Sequence, residues 1–294
     1  MEIGISLPTA SRKAFSPGLA TLARRAEDDG AASLWVNDHL AMVADSQSTY
    51  PYSSDGRITW DVSEPQLEAL VSLAHVAAVT TTARLGTAVL VLPQRHPIEV
   101  AKTAATIDVL SGGRLSLGVG AGWFAEEMHV LGYSFQDRGT RLEECIRLLR
   151  ACWSEKVDAF DGRHFTIPPG VVMEPRPLQD FGPPILVGGV SVAARRRAAR
   201  VGDGWLAVSD ADGFSVNAFR SRLAEITELR EAHSRSGPFI GIVKINCSSA
   251  SDDEVVSAVV AARQAGFDEA VLDLPWSVPE HALQCLRLAV KAVS

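Results

Sequence analysis

Three consecutive polar side chains, Asn37-Asp38-His39, follow the apolar run Leu34-Trp35-Val36. An aspartate beside a histidine can orient the imidazole, and a histidine can give or take a proton near neutral pH. The same residues would also suit an aspartate cap with a histidine at a helix start. A second stretch, Leu110 to Trp123, reads LSGGRLSLGVGAGW. It stops a helix at Ser111-Gly112-Gly113, runs as an apolar strand, and leaves Gly118, Gly120, Ala121 and Gly122 as nearly bare backbone ahead of Trp123. Bare backbone admits a flat or anionic ligand, and it also serves tight strand–helix packing. The spacing is GxGxG rather than the GxGxxG of a dinucleotide turn, and no acidic residue ends a following strand about 20 residues on. A third stretch, Gly188-Gly189-Val190-Ser191, places backbone N–H groups and a hydroxyl at a helix start. That is the chemistry of a phosphate site, or of simple capping by Ser191. Gly86-Thr87-Ala88-Val89-Leu90 is small-residue strand, fit for close approach of a flat ligand or for core packing.

Other chemistry is sparse. No HxH, HExxH or carboxylate cluster has metal-ligand spacing, so no metal site is expected, and no GxSxG elbow is present. His75, His129, His233 and His281 fall in helical patterns and read as surface residues, whereas His96, before Pro97, could border a site. The run Ala41–Asp61, bearing Tyr50, Tyr52 and Trp60, is a long loop that suits a lid, a substrate wall or irregular surface. Cys145, Cys152, Cys247 and Cys285 form no CxxC pair and read as buried thiols in a reducing compartment.

The elements that must position these residues alternate strand with helix. Strands are expected at Glu2–Leu7, Ser33–Val36, Arg84–Leu90, Arg114–Gly120, Ile185–Gly189, Gly204–Val208, Phe239–Asn246 and Glu269–Leu274. Helices are expected at Pro17–Asp29, Glu64–Thr80 with Ser63 as cap, Pro97–Leu110, Asp137–Trp153, Ser191–Val201, Phe214–His233, Ser251–Ala265 and Glu280–Ala292. A hairpin excursion at Phe160–Ile167 and a loop of six prolines, Pro168–Pro184, interrupt them. Eight strand–helix units predict a parallel α/β fold, a (β/α)8 TIM barrel in one domain spanning residues 1–294. An open doubly wound sheet split near the prolines is the alternative. In a barrel the active site is built where strands end at the C-terminal face.

Composition narrows the partners. The chain is 47% hydrophobic and 21% charged, with 28 basic and 35 acidic residues for a net charge of −7. Nucleic acid and anionic membrane are poor partners for that balance. Arg195-Arg196-Arg197 reads as a solvated helix face. No run reaches the roughly 18 apolar residues of a membrane span, and the N-terminus lacks the pattern of a signal peptide, so a cytoplasmic protein is expected.

Taken in order, several of these motifs carry a likeness. Asp38-His39, Gly86 to Leu90, Leu110 to Trp123, Arg138-Gly139 with Arg141 before Glu143-Glu144, Phe160 to Phe165, Pro183 to Gly189 and Gly202-Asp203-Gly204-Trp205 resemble the luciferase-like superfamily. Within it they look like the coenzyme F420-dependent oxidoreductases. The resemblance covers essentially the whole chain and implies a TIM barrel with a cofactor in its mouth. It implies a non-proline cis peptide at Ala88-Val89, and a ring floor at Gly120, Ala121 and Gly122. Gly188, Gly189 and Ser191 would hold phosphate, and Asp38 and His39 would meet the ring's polar edge, with His39 as the catalytic proton donor or acceptor. The sugar-phosphate branch carries a glutamate where this chain has Trp123, so an apolar substrate at Trp123 is expected instead, or a packing role there. The implied activity is hydride transfer between F420 and a small-molecule substrate. The alternatives are an FMNH2- and O2-dependent monooxygenase and a cofactor-binding protein without turnover. A homodimer is implied as well.

Overall fold

The computed structural model describes residues 1–10, 12, 18–53, 55–58 and 60–294. Eight parallel strands close into a barrel: β1 (Glu2–Ser6), β2 (Ser33–Val36), β3 (Arg84–Thr87) continued by β4 (Leu90–Val91), β5 (Leu115–Gly120), β8 (Ile185–Gly188), β9 (Gly204–Asp210), β10 (Ile240–Asn246) and β11 (Glu269–Asp273). A small antiparallel pair, β6 (Phe160–Asp161) and β7 (Thr166–Ile167), forms the expected excursion. Closure comes from β3 pairing with β5 while β1 pairs with both β2 and β11. The open doubly wound alternative is thereby overturned.

The helices α1 (Leu19–Asp28), α2 (Ala69–Ala77), α3 (Pro97–Ser111), α4 (Ala125–Val130), α5 (Arg138–Trp153), α6 (Val192–Val201), α7 (Val216–Ala232), α8 (Asp252–Ala265) and α9 (Pro279–Val293) connect these strands in chain order. Their ends follow local chemistry. Pro97 opens α3, where its missing N–H costs nothing, and Gly112 ends it at φ 72°, a left-handed cap that glycine adopts freely. Ser251 and Glu254 close a reciprocal capping box on α8. Among the described residues no helix is long and apolar enough to cross a membrane.

Strand alternation sends successive side chains outward to the helices and inward to the lumen. The outward set forms the main core with the helices and buries all four cysteines. The inward set is a separate cluster of Trp35, Leu186, Leu206, Ile242 and Val271. Below it, Glu269 accepts hydrogen bonds from Ser33 Oγ and Trp35 Nε1 and pairs with Arg84. Above it, two residues further along each strand, lie Asn37, Gly188, Lys244 and Asp273, which form the C-terminal mouth.

Three expectations change. α2 starts at Ala69 rather than Glu64, and its cap is Glu68, whose carboxylate accepts from Val71 N–H at 2.7 Å. Ser63 instead bonds to Asp61, and Leu67 N–H donates to Thr9, so the preceding segment is held off helical geometry by its own partners. The third strand is broken at the cis peptide Ala88-Val89. Of the three arginines, Arg195 and Arg197 are folded back onto Glu225 and Glu143, and only Arg196 is exposed. α1 begins at Leu19; Pro17 lies outside the described residues.

Candidate active site

His39, three residues beyond the end of β2 and directly after Asn37-Asp38, sits over the barrel mouth. Its Nδ1 lies 2.9 Å from Glu127 Oε2 on α4. Glu127 is buried, and its other oxygen accepts from the Leu40 and Ala41 N–H groups at 2.5 and 3.1 Å. Burial alone would raise this carboxyl, but the bonds from His39 and the two amides outweigh it and hold Glu127 below the usual carboxylate range. The imidazole is therefore oriented by Glu127, and among the described residues its second ring nitrogen makes no hydrogen bond. The neighbouring Glu126 pins the same loop further on, accepting from Gln47 N–H at 2.7 Å and from Ser48 Oγ at 2.5 Å.

Asp38 does different work. Its side chain is wholly buried, its Oδ1 pairs with Arg95 at 2.7 Å, and its Oδ2 accepts from Val91 N–H at 2.9 Å. Burial pushes its carboxyl up, against the pull of Arg95 and the amide. Asp38 thus ties the end of β2 to β4 and to the segment after it, and it neither orients His39 nor presents a free edge to the mouth. Arg95 also bridges to Glu68 at 2.8 Å.

The glycines have a concrete internal reason. A Cβ on Gly120 would fall 2.6 Å from Val89 Cγ2, and one on Gly188 would come closer still to Val89 Cγ1. Val89 therefore seats its two methyls between β5 and β8. Gly122, at φ 82°, leaves room for Val91 and Met128, while Ala121 packs against the outer core. Gly188→Ala is expected to cost about 1–3 kcal/mol in urea unfolding, because a stiff β-branched neighbour cannot swing away. In a Val89→Ala background most of that cost should vanish, the non-additivity of two side chains contending for one space. Ser191 caps α6, accepting from Ala194 N–H at 3.2 Å, and is exposed beside Gly189 at φ 112°.

Across the mouth is a polar wall that sequence reading missed. Lys244 donates to Asn37 Oδ1 at 2.8 Å and pairs with Asp273 at 2.9 Å, while Asn246 donates to Asp210 at 3.1 Å. Over it stands an aromatic group. Tyr50 lies 5.1 Å from both Trp60 and Trp123, Trp123 stacks on Phe124 at 4.9 Å, and His39 meets Trp123 edge-on at 5.8 Å. Burial, with Tyr52, Asp273 and Asp210 nearby, pushes the Tyr50 phenol up to about 12. The long loop thus places Tyr50 and Trp60 in one cluster with Trp123 and His39. His96 caps α3 through Ile98 N–H and packs against Phe165.

A family profile described as luciferase-like monooxygenase matches residues 1–285. The chain belongs to the luciferase-like family. A relative of unassigned activity in Mycobacterium tuberculosis is 38% identical over 218 residues, covering 74% of this chain and 73% of that protein. The F420-dependent glucose-6-phosphate dehydrogenase of Kineococcus radiotolerans is 33% identical over 233 residues, covering 78% of this chain and 62% of that protein. Among solved structures, an F420-dependent secondary alcohol dehydrogenase in complex with an F420-acetone adduct superposes over all of this chain and 99% of its own, with a TM-score of 0.80 at 17% identity. The oxygenating constituent of the 3,6-diketocamphane monooxygenase of Pseudomonas putida, in complex with FMN, gives 0.72 at 15% identity over 99% of this chain and 97% of that one. The luciferase-like barrel is therefore common to F420- and FMN-binding proteins, and at such identities these structures bear on the fold alone.

Proposed function

We propose that this protein is an oxidoreductase that moves hydride between coenzyme F420 and a small organic substrate, with His39 as the proton donor or acceptor. The observation that carries this reading is the His39–Glu127 pair, held beneath an aromatic roof at the C-terminal mouth of the barrel. When bound, a deazaflavin supplies hydride from a ring carbon and activates oxygen poorly.

The residues present fit such a group. Among the described residues, Ser6, at the end of β1, has a buried hydroxyl with no partner, and Trp60 Nε1 likewise has none. Lys244 has three donors, of which Asn37 and Asp273 account for two. These are the groups that would meet the polar edge of a flat ring. Gly188, Gly189 and Ser191 at the start of α6 would face its phosphate, where the helix N-terminus favours negative charge. Tyr50, Trp60 and Trp123 exclude water and favour an apolar substrate, Trp123 among them in place of a sugar-phosphate branch glutamate. The similarity to an F420-dependent dehydrogenase at 33% identity supports F420 over FMN.

Titration of the purified protein with F420 and with FMN, followed by substrate turnover in an oxygen electrode, tests this reading. F420 is expected to bind and to support turnover without oxygen uptake. Oxygen uptake with FMNH2 would transfer the protein to the monooxygenase reading, and binding without turnover on a broad substrate panel would make it a cofactor-binding protein. The same reading includes a homodimer, which sedimentation in solution would display.

A further inference from the structure

α8 and α9 meet in a mixed donor set that plays no part in the chemistry above. Asp252 is the first residue of α8, but it is not needed as the helix cap, which Ser251 and Glu254 supply. Its carboxylate partners come from one face of α9. Oδ1 lies 3.0 Å from His281 Nε2 and accepts from Cys285 Sγ at 3.3 Å, and Oδ2 accepts from Gln284 Nε2 at 3.2 Å. His281 and Cys285 are four residues apart on that helix, hence one above the other. The three donor atoms lie within 4.8 Å of one another.

We propose that Asp252, His281 and Cys285 bind a zinc-type transition-metal ion, with the fourth coordination position open to water. The distances fit. Zinc bonds of about 2.0–2.1 Å to nitrogen and oxygen and about 2.3 Å to sulfur, at tetrahedral angles, put donor atoms roughly 3.3–3.5 Å apart. The two edges from Asp252 need to open by only a few tenths of an ångström. Imidazole with thiolate selects zinc or cobalt over magnesium or calcium. The ion takes the place of the proton that Cys285 now donates to Asp252, so one proton leaves as the metal enters. Solvent reaches the open side, since the His281 and Asp252 side chains are 42% and 34% exposed while Cys285 is buried. Gln284, on the second carboxylate oxygen, fixes the ligand's orientation. Bound metal would join α8 to α9.

Protein freed of metal by chelator dialysis and titrated with Co2+ should bind one equivalent, with a sulfur-to-cobalt charge-transfer band and release of one proton. Zn2+ should displace the cobalt and raise Tm. His281→Gln, at a half-exposed ring, should fold normally and lose both the band and the Zn2+-dependent rise in Tm. Cys285→Ser should lose the band, and Gln284→Ala should weaken Zn2+ about tenfold. No charge-transfer band in the unmodified protein, or a Zn2+ response unchanged in His281→Gln, would overturn the site. A response lost in His281→Gln but retained in full by Cys285→Ser would reduce it to adventitious binding at a surface histidine, which also overturns it.

Discussion

Replacing His39 with alanine is expected to lower turnover by about 10²–10⁴-fold, the usual contribution of a positioned general acid or base. Cofactor affinity should change little, because the ring would be held by the barrel mouth and the α6 turn rather than by this imidazole. Added imidazole should restore part of the lost rate by entering the space left beside Glu127. Glu127→Gln is the informative companion. A glutamine carbonyl can still accept from the Leu40 and Ala41 N–H groups, so the loop stays pinned, but the ring loses the charged partner 2.9 Å away. Its rate should fall between the parent and His39→Ala, in kcat more than in KM. Unchanged turnover in His39→Ala would remove the proton-transfer role altogether.

The second large effect is on stability. Asp38→Ala is expected to cost about 3–5 kcal/mol, because it breaks a buried pair and leaves Arg95 with only the less buried Glu68 as a carboxylate partner. It also strands the Val91 N–H, which bonds to Asp38 Oδ2. In urea this should appear as a lower midpoint with an unchanged slope, and in a thermal scan as a fall in Tm on the order of 10 °C. Asp38→Asn should cost less, since it keeps an oxygen for one of the two donors. A loss below about 1 kcal/mol in Asp38→Ala would show that this pair does not tie β2 to the segment after β4.

The barrel was legible because its strands are short, apolar and regularly spaced, and because Gly112, Pro97 and Ser251 punctuate its helices in ways that local chemistry enforces. The site was legible only in part. Asn37, Asp38 and His39 stand out because polar residues abruptly follow an apolar strand, yet the sequence does not say which partner each takes. Adjacency suggested that Asp38 orients His39. The structure gives that position to Glu127, whose only signal was a pair of glutamates in the first turn of the helix after the glycine-rich stretch. Lys244 and Asp273 were missed because each lies inside a strand that otherwise reads as core. Their meeting with Asn37 depends on barrel closure, which brings together residues more than two hundred positions apart. Cys285 and His281 were judged one at a time, and neither helix alone reveals that they converge on Asp252.

The seating of Val89 between Gly120 and Gly188 has a consequence for how the sequence can drift. Each of the three positions is on a different part of the barrel wall, yet none can grow unless another shrinks. A single substitution at either glycine meets Val89 before it meets solvent or ligand. A lineage can therefore reshape this wall only by paired changes, and the three positions should vary together as one heritable unit.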